Sequence, residues 1–241
     1  MAGVAGDVRL TYGRTVSALH EGDEQIAVRL SSAAHRVRIV AETRPDVVVE
    51  GDAAVRIDGS CTTIDSVRDR IIVRVPVGTD LVIGTSSGRV DVDGPVGTIA
   101  VVSGSGRVTI ADATSVDVRT KSARVQVGRT SAECCVRTSS GRVEIGTCGS
   151  ADVATTSGRI VVQTANGPVR AHCVSGRIEV GLTAPESVDA ETVSGRIRVT
   201  VPRGVVVRTT EGESALTEWP GGGESSVTAR TVSGRVVVSS E

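Results

Sequence analysis

Eight arginines recur at nearly even intervals between residues 89 and 235, each placed after a pair of small residues and before two apolar residues that flank an outward position. The steps between successive arginines are 18, 17, 18, 17, 18, 19 and 39 residues. A regular row of guanidinium groups can bind phosphate or carboxylate groups through paired hydrogen bonds. We call this set of candidate binding residues the Arg column: Arg89, Arg107, Arg124, Arg142, Arg159, Arg177, Arg196 and Arg235.

Internal ion pairing is the competing explanation for the Arg column. Two residues after the arginine, three of the eight copies carry an acid, at Asp91, Glu144 and Glu179. Pairing within a copy is therefore incomplete, and two interpretations stay open: a solvated or internally paired face, or a surface for a protein or an anionic polymer. Nucleic acid is disfavoured because the chain has no Phe, one Tyr and one Trp for base stacking, and no visible helix for the major groove.

The cysteines and histidines form no recognisable site. The five cysteines are odd in number and contain no C-x-x-C pair, which argues against a disulfide framework and a zinc site. Cys134 and Cys173 fall on inward positions, where a thiol acts as a small apolar side chain. Of three scattered histidines, only His172 lies in a regular copy, and no acid or nucleophile forms a plausible group with it. The sequence predicts no catalytic residue, cofactor or metal, and thus no enzyme.

Each arginine lies between two short strands of opposite phase. The positions eight, six and four before it are mostly aliphatic or Thr, and the apolar positions after it are the first and third. Inward positions are thus even-numbered before the arginine and odd-numbered after it, so the chain must turn between them. The glycine before the arginine can supply that corner without a Cβ clash.

The predicted fold is all-β: a single-chain parallel β-solenoid with coils of about 18 residues and two main strands per coil. Stacked coils would lie about 4.8 Å apart. Equivalent side chains of successive coils would then form files along the stack, with aliphatic files inside and the Arg column outside. The Thr four residues before most of the arginines shares the inward phase, so we expect its hydroxyl inside the stack rather than on an ice-binding surface. The last step, 39 residues, is about twice as long as the others and therefore indicates a degenerate copy between Arg196 and Arg235. We place this copy at residues 209–213, with a loop at 218–223.

The chain has two regions of different regularity. Residues 81–241 carry the Ser-Gly-Arg copies, whereas residues 1–80 are expected to form irregular opening coils and a cap over the first sheet edge. The C-terminal end carries no visible cap, so we expect self-association through that edge. The strands predicted in residues 1–80 are Val8–Thr11, Gln25–Leu30, Arg36–Ala41, Val47–Glu50, Ala54–Asp58 and Ile71–Val75.

A family resemblance adds to this interpretation. Val-Pro-x-Gly at residues 75–78 and 201–204, with the repeated Thr-x-Ser-Gly-x-[Val/Ile]-x-[Val/Ile] units, resembles a bacterial β-strand-repeat family labelled putative adhesin, a domain of unknown function. The resemblance runs from about Val47 to the C-terminus. It implies a β-solenoid without an assigned enzyme activity, and some members occur beside envelope-stress systems.

Composition supplies the remaining expectations. The net charge of −1 gives no global attraction to nucleic acid or an anionic membrane. No apolar run reaches the roughly 18 residues of a membrane span, and residues 1–7 lack the basic start and apolar run of a secretory signal. We therefore expect a cytoplasmic, non-catalytic scaffold or interaction module that presents the Arg column to a protein or anionic partner. The alternative is an envelope-associated adhesin or stress-sensing protein that reaches the envelope through partners.

Overall fold

The computed structural model describes residues 7–9, 16–19, 26–32, 36–66, 70–184, 186–202, 206–207, 224–225 and 227–240, and every regular element among them is a β-strand. None of these residues belongs to a helix able to cross a membrane. The all-β prediction is confirmed, and the fold is β-solenoid-like. The strands are β1 (Asp7–Arg9), β2 (Val16–Leu19), β3 (Ala27–Ser32), β4 (Arg36–Glu42), β5 (Asp46–Glu50), β6 (Ala53–Asp58), β7 (Cys61–Ser66), β8 (Arg70–Pro76), β9 (Asp80–Ala165), β10 (Val169–Leu182), β11 (Val188–Val201), β12 (Val206–Val207), β13 (Glu224–Ser225) and β14 (Val227–Ser240).

The chain divides into two compact units, residues 1–120 and 121–241, and the division falls inside the long strand β9. The boundary predicted after residue 80 marks a different property, namely where the Ser-Gly-Arg copies begin. It stays a prediction.

In the second unit, successive copies pair as parallel strands. Arg177 of β10 lies opposite Arg159 of β9 on one side and opposite Arg196 of β11 on the other. Arg196 in turn lies opposite Arg235 of β14. These register offsets of 18, 19 and 39 residues are the same as the steps between the arginines in the sequence. Parallel pairing of like residues in neighbouring copies is therefore confirmed here.

The direct pairing of β11 with β14 corrects the expectation for the step of 39 residues. β11 pairs directly with β14, so no rung lies between these two strands, at the place that the spacing gives to the degenerate copy. The degenerate copy itself, like the loop at 218–223, lies outside the described residues.

Files of aliphatic side chains form the interior, as the phase of the sequence predicts. Ile160, Ile178 and Ile197 are cross-strand partners, and all three are completely buried. The same inward positions are buried in the other copies except in β14, where Val236 and Val238 are only half-buried. No described strand pairs with β14 on its far side, so these two side chains lack one neighbour.

The glycine corners stack backbone directly on backbone. Gly158, Gly176 and Gly195 have φ angles of 149°, 155° and 157°, which side chains with a Cβ rarely adopt. A Cβ on Gly176 would lie 1.8 Å from the carbonyl oxygen of Gly158. At Gly176 glycine is therefore favoured both by the dihedral angle and by the close approach of the neighbouring rung.

The hydroxyl four residues before the arginine lies inside the stack in six copies, as predicted: Thr85, Ser103, Thr120, Thr138, Thr155 and Thr192 are buried. Thr138 and Thr155 are buried, and each donates a hydrogen bond to the carbonyl oxygen two residues later, at 3.2 and 3.3 Å. These bonds span the bend and satisfy a carbonyl that the corner removes from the ladder. The same Thr or Ser position is therefore unsuited to an ice-binding surface.

In the first unit, the coils do not follow the order of the chain. The coil made by β3 and β4 pairs in parallel with β7 and β8 on one side and with β9 on the other. It therefore lies between two coils that are adjacent in sequence. Antiparallel strands β6 and β5 line the outer side of β7 and β8, and β1 and β2 pair with them in turn.

Six predicted strands of residues 1–80 correspond to β1, β3, β4, β5, β6 and β8, whereas β2 and β7 were not predicted. The sequence of β7, Cys-Thr-Thr-Ile-Asp-Ser, contains a single large aliphatic residue, Ile64. Ile64 is completely buried. The strand is stabilised by its neighbours, because β3 and β6 pair with it on opposite sides.

Candidate functional site

The Arg column forms a shallow groove in the second unit. Four consecutive rungs of parallel strands supply its lining, and the groove has a volume of about 630 Å³. Glycine precedes each arginine, so the floor is backbone without side chains. Neighbouring rungs of a parallel sheet are about 4.8 Å apart. The lining residues are Gly158, Arg159, Gly176, Arg177, Gly195, Arg196, Gly234 and Arg235.

The three acids found by the sequence all pair with the arginine two residues earlier. Arg89 donates from Nε to Asp91 at 2.8 Å, Arg142 pairs with Glu144, and Arg177 pairs with Glu179 at 3.4 Å. The internal-pairing interpretation is thus correct for these three copies. The Arg142–Glu144 and Arg177–Glu179 pairs are partly exposed, and exposed pairs contribute about 0–1 kcal/mol each, so these two pairs hold the side chains only weakly.

The remaining arginines of the column in the second unit have no acid beside them. Within the described part of that unit, Arg124, Arg159, Arg196 and Arg235 make no ion pair. Paired and unpaired guanidinium groups therefore alternate in the order Arg124, Arg142, Arg159, Arg177 and Arg196, and the last rung adds the unpaired Arg235. Of the four groove arginines, three therefore carry a charge that no described acid neutralises, whereas Arg177 is paired with Glu179.

The first unit extends its part of the column with two arginines that sequence reasoning missed. Arg36 lies opposite Arg89, and Arg70 lies opposite Arg36. Both precede an alternating apolar strand, as in the regular copies, but neither follows a Ser-Gly pair. The alternating apolar residues after each of these arginines were a sequence signal for a regular copy. The signal was missed because no Ser-Gly pair precedes either arginine.

The column of the first unit is held by a buried carboxylate. Asp91 is only 7% exposed, and it accepts hydrogen bonds from Arg89 at 2.8 Å and Arg36 at 3.4 Å. Next to it, Arg38 donates to Asp93 at 3.0 Å. Because these acids already neutralise the neighbouring guanidinium groups, the first unit is a weaker candidate for anion binding than the groove of the second unit.

The strands before the corners carry a separate ion-pair network on the second unit. The Arg137 guanidinium donates to both carboxylate oxygens of Asp152, at 2.6 and 2.9 Å, and lowers the pKa of that carboxyl. His172 lies 3.3 Å from Glu191 on the next rung, and Glu191 also pairs with Arg230 on the rung after that. No acid was predicted near His172, because its partner Glu191 is 19 residues away in the chain and belongs to the neighbouring copy. His20 and His35 lie outside the described residues.

No metal-binding cluster of three or more His, Cys, Asp or Glu side chains occurs in the described ranges. Three of the cysteines are core residues. Burial raises the pKa of the Cys134 thiol to about 12 and that of Cys148 to about 11, and it also raises the pKa of Cys173. A thiol with a raised pKa holds little thiolate, which is the reactive form.

Alkylation should therefore separate the five cysteines into two classes. With iodoacetamide at pH 8 in the folded protein, we expect the half-buried Cys61 and Cys135 to react at least about tenfold faster than Cys134, Cys148 and Cys173, because burial reduces both access and thiolate content. Mass spectrometry of tryptic peptides measures each rate, and labelling in urea is the control. Equal rates in the folded and the unfolded protein would contradict the buried placement.

Comparison with known proteins gives one family and solved structures that include two putative adhesion proteins. The family model described as Toastrack DUF4097 matches residues 11–239. The crystal structure of a putative adhesin from Bacteroides fragilis is similar at 13% identity and a TM-score of 0.48, covering 97% of this chain and 100% of that one. A putative cell adhesion protein from Clostridium sporogenes gives 8% identity, a TM-score of 0.23, and coverage of 95% and 100%. The search of curated proteins gave no significant match.

Proposed function

The chain belongs to the Toastrack family, DUF4097, and on that premise we propose that it is a non-catalytic β-solenoid scaffold that presents the Arg column to an anionic partner. In this proposal the copies wind as coils of about 18 residues with two main strands each. The partner binds in the groove of the second unit. No cofactor takes part.

The observation that carries the proposal is the row of unpaired guanidinium groups over a floor of bare backbone. Arg159, Arg196 and Arg235 share the groove without an acid of their own among the described residues. Arg196 and Arg235 lie on adjacent rungs about 4.8 Å apart, and two such charges repel each other by about 1 kcal/mol even in water. Phosphate or carboxylate groups would remove this repulsion and fill the fork-shaped donor sites.

Replacing the four groove arginines by glutamine tests the proposal. We expect R159Q/R177Q/R196Q/R235Q to keep its circular dichroism spectrum and to bind poly-L-glutamate, polyphosphate and hyaluronan at least about tenfold more weakly than the wild type at low salt, because each lost contact is a charge-assisted hydrogen bond. Fluorescence anisotropy with labelled polymers measures the affinities.

The matched control changes four arginines outside the column, R119Q/R129Q/R170Q/R230Q, and so removes the same charge. It should bind within about threefold of the wild type if the groove is the site, since only the long-range attraction is altered. If the wild-type protein binds none of the three polymers at low salt, or if both quadruple variants lose affinity equally, the proposal fails.

The alternative function is an envelope-associated adhesin or stress-sensing protein recruited by a protein partner. It is favoured by an exposed apolar strip beside the groove, in which Val174 and Val193 are each 50% exposed and Val232 is 83% exposed. Adjacent exposed apolar side chains are typical of protein-contact surfaces. Fractionation of native cells distinguishes this location from the cytoplasmic one that we expect. Self-association through the uncovered edge of β14 also stays a prediction.

A further inference from the structure

We infer that the groove of the second unit binds a linear polysaccharide in which acidic and neutral sugars alternate. The inference rests on the proposed function, since it names the class of anion that the Arg column would bind. It is carried by three properties of the groove: the alternation of its ion pairs, the distance between its rungs, and its concave glycine floor.

The alternation of ion pairs creates two kinds of rung. At Arg159 and Arg196 no acid among the described residues pairs with the guanidinium, so its hydrogen-bond donors are available to a carboxylate. At Arg177, between them, Glu179 lies 3.4 Å away. A paired rung offers both donors and acceptors and has no net charge, which suits the hydroxyl groups of a neutral sugar.

The distance between unpaired rungs fits the repeat of such a polymer. Arg159 and Arg196 are both cross-strand partners of Arg177, so they are separated by two rungs, or about 9.6 Å. Two linked pyranose rings in an extended chain have nearly this length. A polymer with one carboxylate for every two sugars can therefore place two successive carboxylates at Arg159 and Arg196 while the neutral sugar between them meets the paired rung at Arg177.

The shape of the site argues against the other polyanions. A groove whose floor is backbone glycine accepts a narrow chain lying along the stack. Polyphosphate, and a polymer with a carboxylate on every sugar, would place charges against the paired rung at Arg177, next to the Glu179 carboxylate. Like charges at that position repel. The groove thus favours a spaced over a dense charge pattern.

The test compares two oligosaccharides of equal length on single variants. Hyaluronan oligomers alternate glucuronate with a neutral N-acetyl sugar, and oligogalacturonates carry a carboxylate on every ring. We expect the wild-type protein to bind the hyaluronan oligomer more tightly, although the other ligand has twice the charge. R159Q and R196Q should each weaken hyaluronan binding by about tenfold, the loss of one charge-assisted hydrogen bond, whereas R177Q should weaken it by only about twofold because its guanidinium is already paired.

The variant E179Q supplies the decisive comparison, because it converts the paired rung into an unpaired one. We expect the ratio of the two affinities to shift toward oligogalacturonate by about fivefold, since Arg177 then becomes available to a carboxylate. Isothermal titration calorimetry measures all affinities, and circular dichroism checks the fold of each variant.

The possible failures are distinguishable. If oligogalacturonate or polyphosphate binds the wild type more tightly than hyaluronan, or if E179Q leaves the ratio unchanged, the alternating-sugar inference is wrong while the proposed anion-binding function stands. Equal losses for R159Q, R177Q and R196Q would likewise show attraction by charge alone and overturn the inference. If no polyanion binds, both the inference and the proposed function fail.

Discussion

Gly176→Ala is expected to lower the melting temperature of the protein by about 10 °C, equivalent to a loss of about 4 kcal/mol from a chain of this size. The new Cβ would lie 1.8 Å from the carbonyl oxygen of Gly158, and φ at this residue is 155°. Neither the backbone of the neighbouring rung nor the dihedral angle can relax without moving other rungs. Backbone strain and overpacking each cost about 1–3 kcal/mol.

Gly84→Ala is the matched control for this substitution. Gly84 lies within β9, and a Cβ at this position would have the carbonyl oxygen of Leu30 as its nearest neighbour, 3.9 Å away. We expect a change within about 1 kcal/mol, because alanine fits this space and reduces the freedom of the unfolded chain. Differential scanning calorimetry measures both variants. Similar melting temperatures for G176A and G84A would show that the corners are not stacked as closely as described.

Ile178→Ala should cost about 3–4 kcal/mol and lower the melting temperature by about 10 °C, because it leaves a cavity in the middle of an apolar file. Ile178 is completely buried and lies between Ile160 and Ile197 on neighbouring strands. Closely stacked backbones cannot collapse into the space, since the rung separation is set by the ladder hydrogen bonds.

Val193→Ala provides the comparison at an exposed position of the same sheet. The Val193 side chain is 50% exposed, so its truncation should change stability by no more than about 0.5–1 kcal/mol. Urea unfolding followed by circular dichroism gives both free energies. A loss at Ile178 as small as that at Val193 would contradict the interior file on which the fold depends.

The Arg column shows which parts of the candidate site were predictable from the sequence. Its spacing predicted that Arg159, Arg177 and Arg196 lie in adjacent rungs, and the registers confirm it. The acids two residues further along were also found, since such pairs lie on one face of a strand. The pairing of Asp91 with Arg36 was not predictable in this way, because the two residues come from coils 55 positions apart in the chain.

The family resemblance is confirmed, and its extent was underestimated. The sequence pattern placed its beginning near Val47, whereas the family model matches from residue 11. The structure accounts for the difference, because β3 and β4 form a rung that pairs with β9 in the manner of a regular copy. Without a Ser-Gly corner before Arg36, the same rung is difficult to recognise in the sequence.

The amino-acid sequence by itself determined which side chains face inward, where the chain bends, and how far apart equivalent residues lie along the chain. These properties are local: a two-residue alternation selects the buried face, and a glycine without a Cβ permits the corner. Only the tertiary structure decided the order of the rungs. It placed the coil of β3 and β4 between two coils that are adjacent to each other in the chain, and it brought β11 into direct contact with β14. The physical reason is that ladder hydrogen bonds join backbone groups common to every residue, so any coil with matching inward positions can pair with any other. The choice among them depends on connections and caps that no single repeat encodes.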